Sequence, residues 1–243
     1  MLKKFKYFGL RYIYYRIINK YPYLLPRLLD IFKPSLISRY YSKKIIREFY
    51  GYIGHAIDEK NESYLGLGML HYDLIRIIKP KRVLCIGSYR GFIPAICALA
   101  CQDNFAGYVD FVDVGTDLSG VDPILGDGFW RKIVPKEYFS KLIKDGYIKT
   151  YIMSTKEFTD KFGKRKYGYI YIDGDHTYRG IQSDYNLLWP MLIKGGYMAF
   201  HDVFGKGIGN VKFGVNRFWN EIKFEKRISF GTLLPSGLGF IQK

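Results

Sequence analysis

Along this chain, short apolar runs are interrupted by polar breaks at a spacing that fits strands alternating with helices. The clearest case is the stretch 169–203, YIYIDGDHTYRGIQSDYNLLWPMLIKGGYMAFHDV. Tyr169-Ile170-Tyr171-Ile172 is short and apolar, as a buried strand is, and Asp173-Gly174-Asp175-His176 is too polar to continue it. Ile181, Tyr185, Leu188 and Leu192 recur at helical spacing, which predicts a helix over Tyr178–Leu192 stopped by Gly195-Gly196. A second strand, Tyr197–Phe200, ends in His201-Asp202. Strand, helix and strand of this length predict a right-handed unit with parallel strands. Both polar clusters then emerge at the same sheet edge, where ligands of open α/β sheets bind. Asp173, Asp175, His176, His201 and Asp202 are therefore expected to share one site.

The same rhythm extends in both directions. Leu65–Ile78 reads as a helix, with His71 expected to be a packed or surface residue. Val83–Ile86 is a strand followed by a glycine turn, Gly87-Ser88-Tyr89-Arg90-Gly91, and the helix Phe92–Cys101. Gly87 permits a tight turn and close backbone approach, and the free N–H groups of the following helix face whatever is bound there. This spacing is not the full G-x-G-x-x-G dinucleotide pattern. Strand Tyr108–Val112 ends at Asp113, an acid placed to accept hydrogen bonds from ribose hydroxyls. A long loop, Val114–Trp130, precedes helix Pro135–Lys144 and strand Ile148–Met153. Ser154 is placed to cap the next helix. After Asp202 come a glycine-rich loop, Phe204–Asn210, that lacks the G-K-[ST] of a phosphate loop, and the helix Gly214–Phe224. Two strands, Ile228–Leu234 and Leu238–Gln242, close the chain as a hairpin through Pro235-Ser236-Gly237. The expected architecture is α/β: a Rossmann-like, doubly wound, mostly parallel seven-stranded sheet with an antiparallel C-terminal hairpin, plus N-terminal helices.

Composition adds an uneven charge. The 243 residues are 48% hydrophobic and carry a net charge of +16, enough for a sizeable core. Residues 1–50 hold 12 Lys/Arg against Asp30 and Glu48, a net +10. Two basic, aromatic-rich helices and the start of a third are expected there, with the polar break 57–63 as boundary. The division is 1–62 as a helical extension and 63–243 as the α/β domain. Two readings of the extension stay open: a helical cap with a solvated face, or contact with an anionic membrane surface. Nucleic acid is disfavoured because no recognition motif accompanies the charge. Self-association is left open. With no membrane-length apolar run and no secretory signal pattern, a cytoplasmic location, with or without peripheral membrane contact, is expected. Cys85, Cys97 and Cys101 fall on one strand and one helix and read as core packing.

Five stretches, VLCIGSYRG at 83–91, YIYIDGDHTY at 169–178, KGGYMAFHDV at 194–203, GVNRFW at 214–219 and GLGFIQK at 237–243, resemble the class I S-adenosylmethionine-dependent methyltransferases. The likeness is greatest to a branch with a D-G-D-H motif, related to the catechol-type and sugar O-methyltransferases. It covers about residues 65–243. The resemblance implies that Gly87, Ser88, Tyr89 and Gly91 line the methionine part of the cofactor. Asp113, beside Val114, would hold the ribose, Ser154 would lie near the adenine, and Asp173 would border the cofactor. It also implies a divalent ion, Mg²⁺ or another, at Asp173, His201 and Asp202. Two departures stand out: Cys85 occupies a position that is usually acidic, and His201 one where the catechol-type enzymes have an acid.

The chemistry is displacement at a methyl carbon by an oxygen of a small molecule or glycan. It needs an oriented hydroxyl and a proton acceptor. Asp173, with His176 or His201 as base, would supply these, with or without the ion. Rivals are an NAD-dependent oxidoreductase on a similar sheet and a non-catalytic scaffold docking through its basic N-terminus.

Overall fold

The computed structural model describes residues 66–88, 91–114, 137–208, 211–224, 226–231 and 236–243. These all fall in one compact unit of the chain. The basic segment 1–62, Tyr89 and nearly all of the loop 114–130 lie outside the described residues, and so does the expected membrane contact through residues 1–50.

In chain order the elements are α1 (Gly68–Ile78), β1 (Arg82–Ile86), α2 (Phe92–Asp103), β2 (Tyr108–Val112), α3 (Glu137–Lys144), β3 (Ile148–Tyr151), α4 (Thr155–Phe162), β4 (Tyr167–Ile172), α5 (Tyr178–Leu188), β5 (Leu192–His201), β6 (Gly207–Ile208), β7 (Val211–Lys212), α6 (Val215–Glu221), β8 (Arg227–Phe230) and β9 (Leu238–Gln242). Seven strands form one sheet in the order β3-β2-β1-β4-β5-β9-β8, with β6 and β7 a separate pair. The first five run parallel, while β9 is antiparallel to both β5 and β8. This is the expected doubly wound sheet with its C-terminal hairpin.

The central strands β1, β2 and β4 are buried on both faces, which is why they read as nearly continuous apolar runs. All six residues of β4 are buried. One face, through Leu84, Ile86, Ile170, Ile172, Met198 and Phe200, packs on Phe158 of α4, Ile181 and Leu188 of α5, and Phe218 and Trp219 of α6. The other face carries α1 to α3. His71 of α1 lies edge-on to Tyr171, and Phe139 of α3 edge-on to Phe111. Helix α2 packs beside α1 and against β1 and β2, and eleven of its twelve residues are buried. Pro94 is tolerated because it sits in the first turn, where no helical N–H partner is lost.

The expected helix Gly214–Phe224 ends at Glu221 and the expected strand Ile148–Met153 at Tyr151, and two further boundaries move for definable reasons. Helix α5 ends at Leu188 rather than Leu192, because Trp189–Met191 tightens into a 3₁₀ turn around Pro190, which cannot donate to the helical ladder. Strand β5 then begins at Leu192, so Gly195-Gly196 lies inside a strand instead of ending a helix. Gly195 has φ 79°, and the pair exchanges backbone hydrogen bonds with Lys243 (Gly195 N–H to Lys243 O, 2.7 Å; Lys243 N–H to Gly196 O, 3.0 Å). The glycine-rich loop after Asp202 contains the short strand β6, which pairs with β7 just beyond it. The tip between these strands, residues 209–210, is not described.

Candidate active site

Strand register brings the expected residues to one edge. Ile86 of β1 is paired with Val112 of β2 and with Ile172 of β4. Gly87, Asp113 and Asp173, the next residue on each strand, therefore leave the sheet side by side at its carboxyl edge. Ile172 is paired in turn with Phe200, which sets His201 beside Asp173. The strand order reverses direction between β1 and β4, and that is where such sheets form a crevice.

Gly87 has φ +65°, and a Cβ there would stand 2.1 Å from the carbonyl oxygen of Asp173. No other residue type fits so close a crossing of the β1 and β4 tips. Backbone bonds fix the same corner: Gly87 N–H donates to Val112 O (2.8 Å) and Asp173 N–H to Ile86 O (2.8 Å). Ser88 follows, fully buried, and its hydroxyl has no hydrogen-bond partner among the described residues. Such a group is costly unless something else satisfies it. Gly91 is the N-cap of α2. Asp113 and Val114 are half-buried beyond β2, with Asp113 N–H bonded to Tyr151 O (3.0 Å). Ser154 caps α4 in a reciprocal box with Glu157. Its hydroxyl accepts from Glu157 N–H (3.2 Å), while the Glu157 carboxylate accepts from Ser154 N–H (2.8 Å).

At the tips of β4 and β5, four side chains converge. Nδ1 of His201 lies 3.0 Å from Asp173 Oδ1 and 3.4 Å from Asp202 Oδ2. Nε2 of His176 lies 3.3 Å from the same Asp173 oxygen and 3.0 Å from the same Asp202 oxygen. These four atoms all lie within 4.8 Å of one another. The side chains of Asp173, His201 and Asp202 are 5%, 7% and 9% exposed, against 30% for His176, which forms the rim.

Local structure holds them there. The second oxygen of Asp173 accepts a hydrogen bond from Tyr171 Oη at 2.9 Å. Asp202 has φ 57°, a left-handed conformation that non-glycine residues seldom adopt and that collects at functional sites. His176 stacks on Phe213, with centroids 4.6 Å apart, and its carbonyl accepts from Gly214 N–H (2.8 Å). Gly214 is needed for that approach, since a Cβ would meet Tyr178 N at 2.1 Å. Asp175 does not join the cluster. It is exposed, accepting from Thr177 N–H (2.8 Å), while Thr177 is the N-cap of α5.

The electrostatics follow from this packing. Burial alone would raise the Asp173 carboxyl, but the adjacent His201 charge and hydrogen bonds from both imidazoles hold it well below its usual range. Asp202, by the same opposition, is brought down to about 2. Burial disfavours the charged imidazoles, yet the two carboxylates outweigh it, pushing His176 up to about 9 and His201 well above its ordinary value. Two carboxylates and two imidazolium ions are jointly neutral. A dication with two neutral imidazoles has the same net charge, so one divalent ion can replace two protons without altering the electrostatic balance. The separations of 3.0–3.4 Å also match donors around an ion: bonds of ~2.1 Å place neighbouring donors about 3.0 Å apart at right angles and about 3.4 Å apart at the tetrahedral angle. The residues thus fit a divalent ion, and the unpartnered Ser88 hydroxyl beside the Gly87 crossing fits a polar cofactor.

Sequence patterning missed the parts that reach the cluster from elsewhere in the fold. Tyr171 looked like an ordinary strand residue. Phe213 and Gly214 lie about forty positions from His176, and only GVNRFW marked their region.

This sheet order, with a reversed strand between β5 and β8 and its site at the tips of β1, β2, β4 and β5, defines the class I methyltransferase fold. Residues 84–203 match the model of a family described as a methyltransferase domain. Among solved structures, an O-methyltransferase from Bacillus cereus in complex with SAH shares 11% identity at TM-score 0.56, covering 90% of this chain and 97% of that one. TomG from Streptomyces achromogenes, an O-methyltransferase of tomaymycin synthesis in complex with SAM, shares 14% at TM-score 0.55, covering 87% and 94%. At such identities the likeness concerns the fold. A curated relative, y4gI of Sinorhizobium fredii (strain NBRC 101917 / NGR234), is 25% identical over 191 residues, which is 75% of this chain and 19% of that protein. The chain therefore spans about a fifth of that relative's length.

Proposed function

We propose that this chain transfers a methyl group from S-adenosylmethionine to a hydroxyl oxygen of a small molecule or glycan, assisted by a divalent ion. The observation that carries the reading is the convergence of Asp173, His176, His201 and Asp202 beside the Gly87 crossing at the switch point of a methyltransferase fold. The solved structures bound to SAM or SAH supply the cofactor by analogy.

In this reading the turn after β1 receives the amino-acid part of the cofactor against Gly87, Ser88 and the N-terminus of α2. Asp113 accepts hydrogen bonds from the ribose hydroxyls. The cofactor supplies an electrophilic methyl on a sulfonium, and the ion supplies Lewis acidity toward the acceptor hydroxyl. Asp173, His201 and Asp202 hold the ion, and their burial keeps water from competing for the position. His176, at the rim, takes the hydroxyl proton on Nε2. Stacking on Phe213 sets the plane of its ring, so the base and the carboxylates face the same point.

Calorimetric titration separates this reading from its rivals. The full chain should bind S-adenosylmethionine and S-adenosylhomocysteine but not NAD. Asp113→Ala should weaken binding by about tenfold or more, as expected for loss of hydrogen bonds to a charged group. Binding of NAD alone would reverse the assignment.

A further inference from the structure

We infer that the ion held by this cluster is a first-row transition metal dication, of the Mn²⁺, Fe²⁺, Co²⁺ or Zn²⁺ type, and not Mg²⁺ or Ca²⁺. The inference rests on the ligand assignment proposed above and turns on His201. Its Nδ1 stands 3.0 Å from Asp173 Oδ1 and 3.4 Å from Asp202 Oδ2, close to the 3.3 Å and 3.0 Å that the same oxygens keep from His176 Nε2. An ion between the two carboxylates therefore meets an imidazole nitrogen as its third neighbour. The ring has little freedom to withdraw, since its side chain is 7% exposed and sits at the last position of β5, paired with Leu238 of β9.

Hard cations are poorly served by this arrangement. Mg²⁺ and Ca²⁺ take oxygen donors, and Mg²⁺ retains several waters in an octahedron. A nitrogen among buried donors replaces one of those oxygens with a ligand that first-row transition ions prefer, and affinity then follows the order that rises from Mn²⁺ toward Cu²⁺. The hydrogen bond from Tyr171 to Asp173 Oδ2 (2.9 Å) leaves Oδ1 turned toward the imidazoles. Asp173 is thereby directed to act through one oxygen, whereas the large shell of Ca²⁺ favours carboxylates that can bind through both.

The test uses Co²⁺ as a probe, because its visible absorption reports nitrogen and oxygen ligation without any turnover. The full chain is stripped with chelator and dialysed against Co²⁺ with and without a hundredfold excess of Mg²⁺. Retained metal is measured by elemental analysis and absorbance. One Co²⁺ per chain should be retained with a ligand-field band, displaced by Zn²⁺ and not by the Mg²⁺ excess. His201→Asp, which supplies a carboxylate instead, should narrow the preference for Co²⁺ over Mg²⁺ by tenfold or more. Should that variant fail to fold by circular dichroism, His201→Asn in the same competition replaces it, with the same narrowing expected. Displacement of Co²⁺ by Mg²⁺ from the wild-type chain, or absence of bound Co²⁺, overturns the inference. So does an unchanged preference in a folded His201 variant. S-adenosylmethionine binding, titrated in parallel, keeps the two readings apart: intact cofactor binding without Co²⁺ selectivity removes this inference and leaves the methyl-transfer assignment standing.

Discussion

At the scale of single residues, the site depends on one backbone crossing. Gly87 is held at φ +65° with the Asp173 carbonyl where its Cβ would be. Gly87→Ala must therefore do two things. It places an L-residue in a left-handed conformation, at about 1–2 kcal/mol, and it drives the β4 tip away from β1. Because Asp173 moves with that tip, cofactor and ion binding should fail together, each by more than tenfold, while far-ultraviolet circular dichroism stays near wild type. Wild-type affinity for S-adenosylmethionine in Gly87→Ala would contradict the placement of the cofactor at this crossing. The requirement for glycine here was visible in the sequence as a turn. The identity of the obstructing atom was not, since it comes from a strand more than eighty positions away.

At the scale of elements, Ser154 gives a way to separate capping from cofactor contact. Its hydroxyl already accepts from Glu157 N–H, and Glu157 returns the bond to the Ser154 backbone. Ser154→Ala should cost about 1 kcal/mol, or about 2–4 °C in melting temperature for a domain of this size. Affinity for S-adenosylmethionine should be unchanged, because the hydroxyl is committed to the helix. A tenfold loss of affinity with an unchanged melting temperature would reverse that assignment. Capping of this kind is local, and the sequence shows it directly as Ser154-Thr155 with Glu157 three positions after the cap. The parallel strands are legible for a similar reason: burial on both faces leaves runs such as YIYI that admit little else. Gly195-Gly196 misled because glycine ends a helix and also bends a strand, and only the pairing with Lys243 decides between them. The cluster was legible as a list of polar residues at strand ends. Its membership was not: Asp175 and His176 are sequence neighbours, and the turn into α5 directs His176 inward and leaves Asp175 exposed.

At the scale of the whole molecule, α1 is tied to the sheet beneath the site by a histidine that must remain neutral. His71 is fully buried, with Nδ1 2.5 Å from Tyr169 Oη and its ring edge-on to Tyr171. Burial lowers its pKa from 6.5 to about 3; the charge of His201 acts in the same direction, and that of Asp173 opposes it. In the unfolded chain this imidazole takes a proton below about pH 6.5, whereas in the fold it stays neutral until about pH 3. The unfolded state therefore binds more protons across that interval, so the stability contributed by neutral His71 is complete above about 6.5 and is lost as pH falls toward 3. Asp184 titrates in the same range with the opposite sign. Its carboxyl is raised to about 6, chiefly by burial, and it favours the fold as pH falls. The two are separated by the variant. His71→Phe keeps an aromatic ring and removes the titration, at the expense of the Tyr169 hydrogen bond. It should be less stable than wild type at pH 7, yet lose less further stability between pH 6.5 and 4, so that urea midpoints of the two proteins converge as pH falls. Parallel midpoints over that range would mean that His71 already accepts a proton in the folded state. The cluster imidazoles do not confuse this measurement. His176 is raised to about 9, so it is protonated in the metal-free fold throughout the interval, and its own effect on stability falls at higher pH, between about 6.5 and 9. Convergence in acid therefore isolates the packing of α1 on β4, a contact made by a helix that precedes the family-matched span and lies against the strand that carries Asp173.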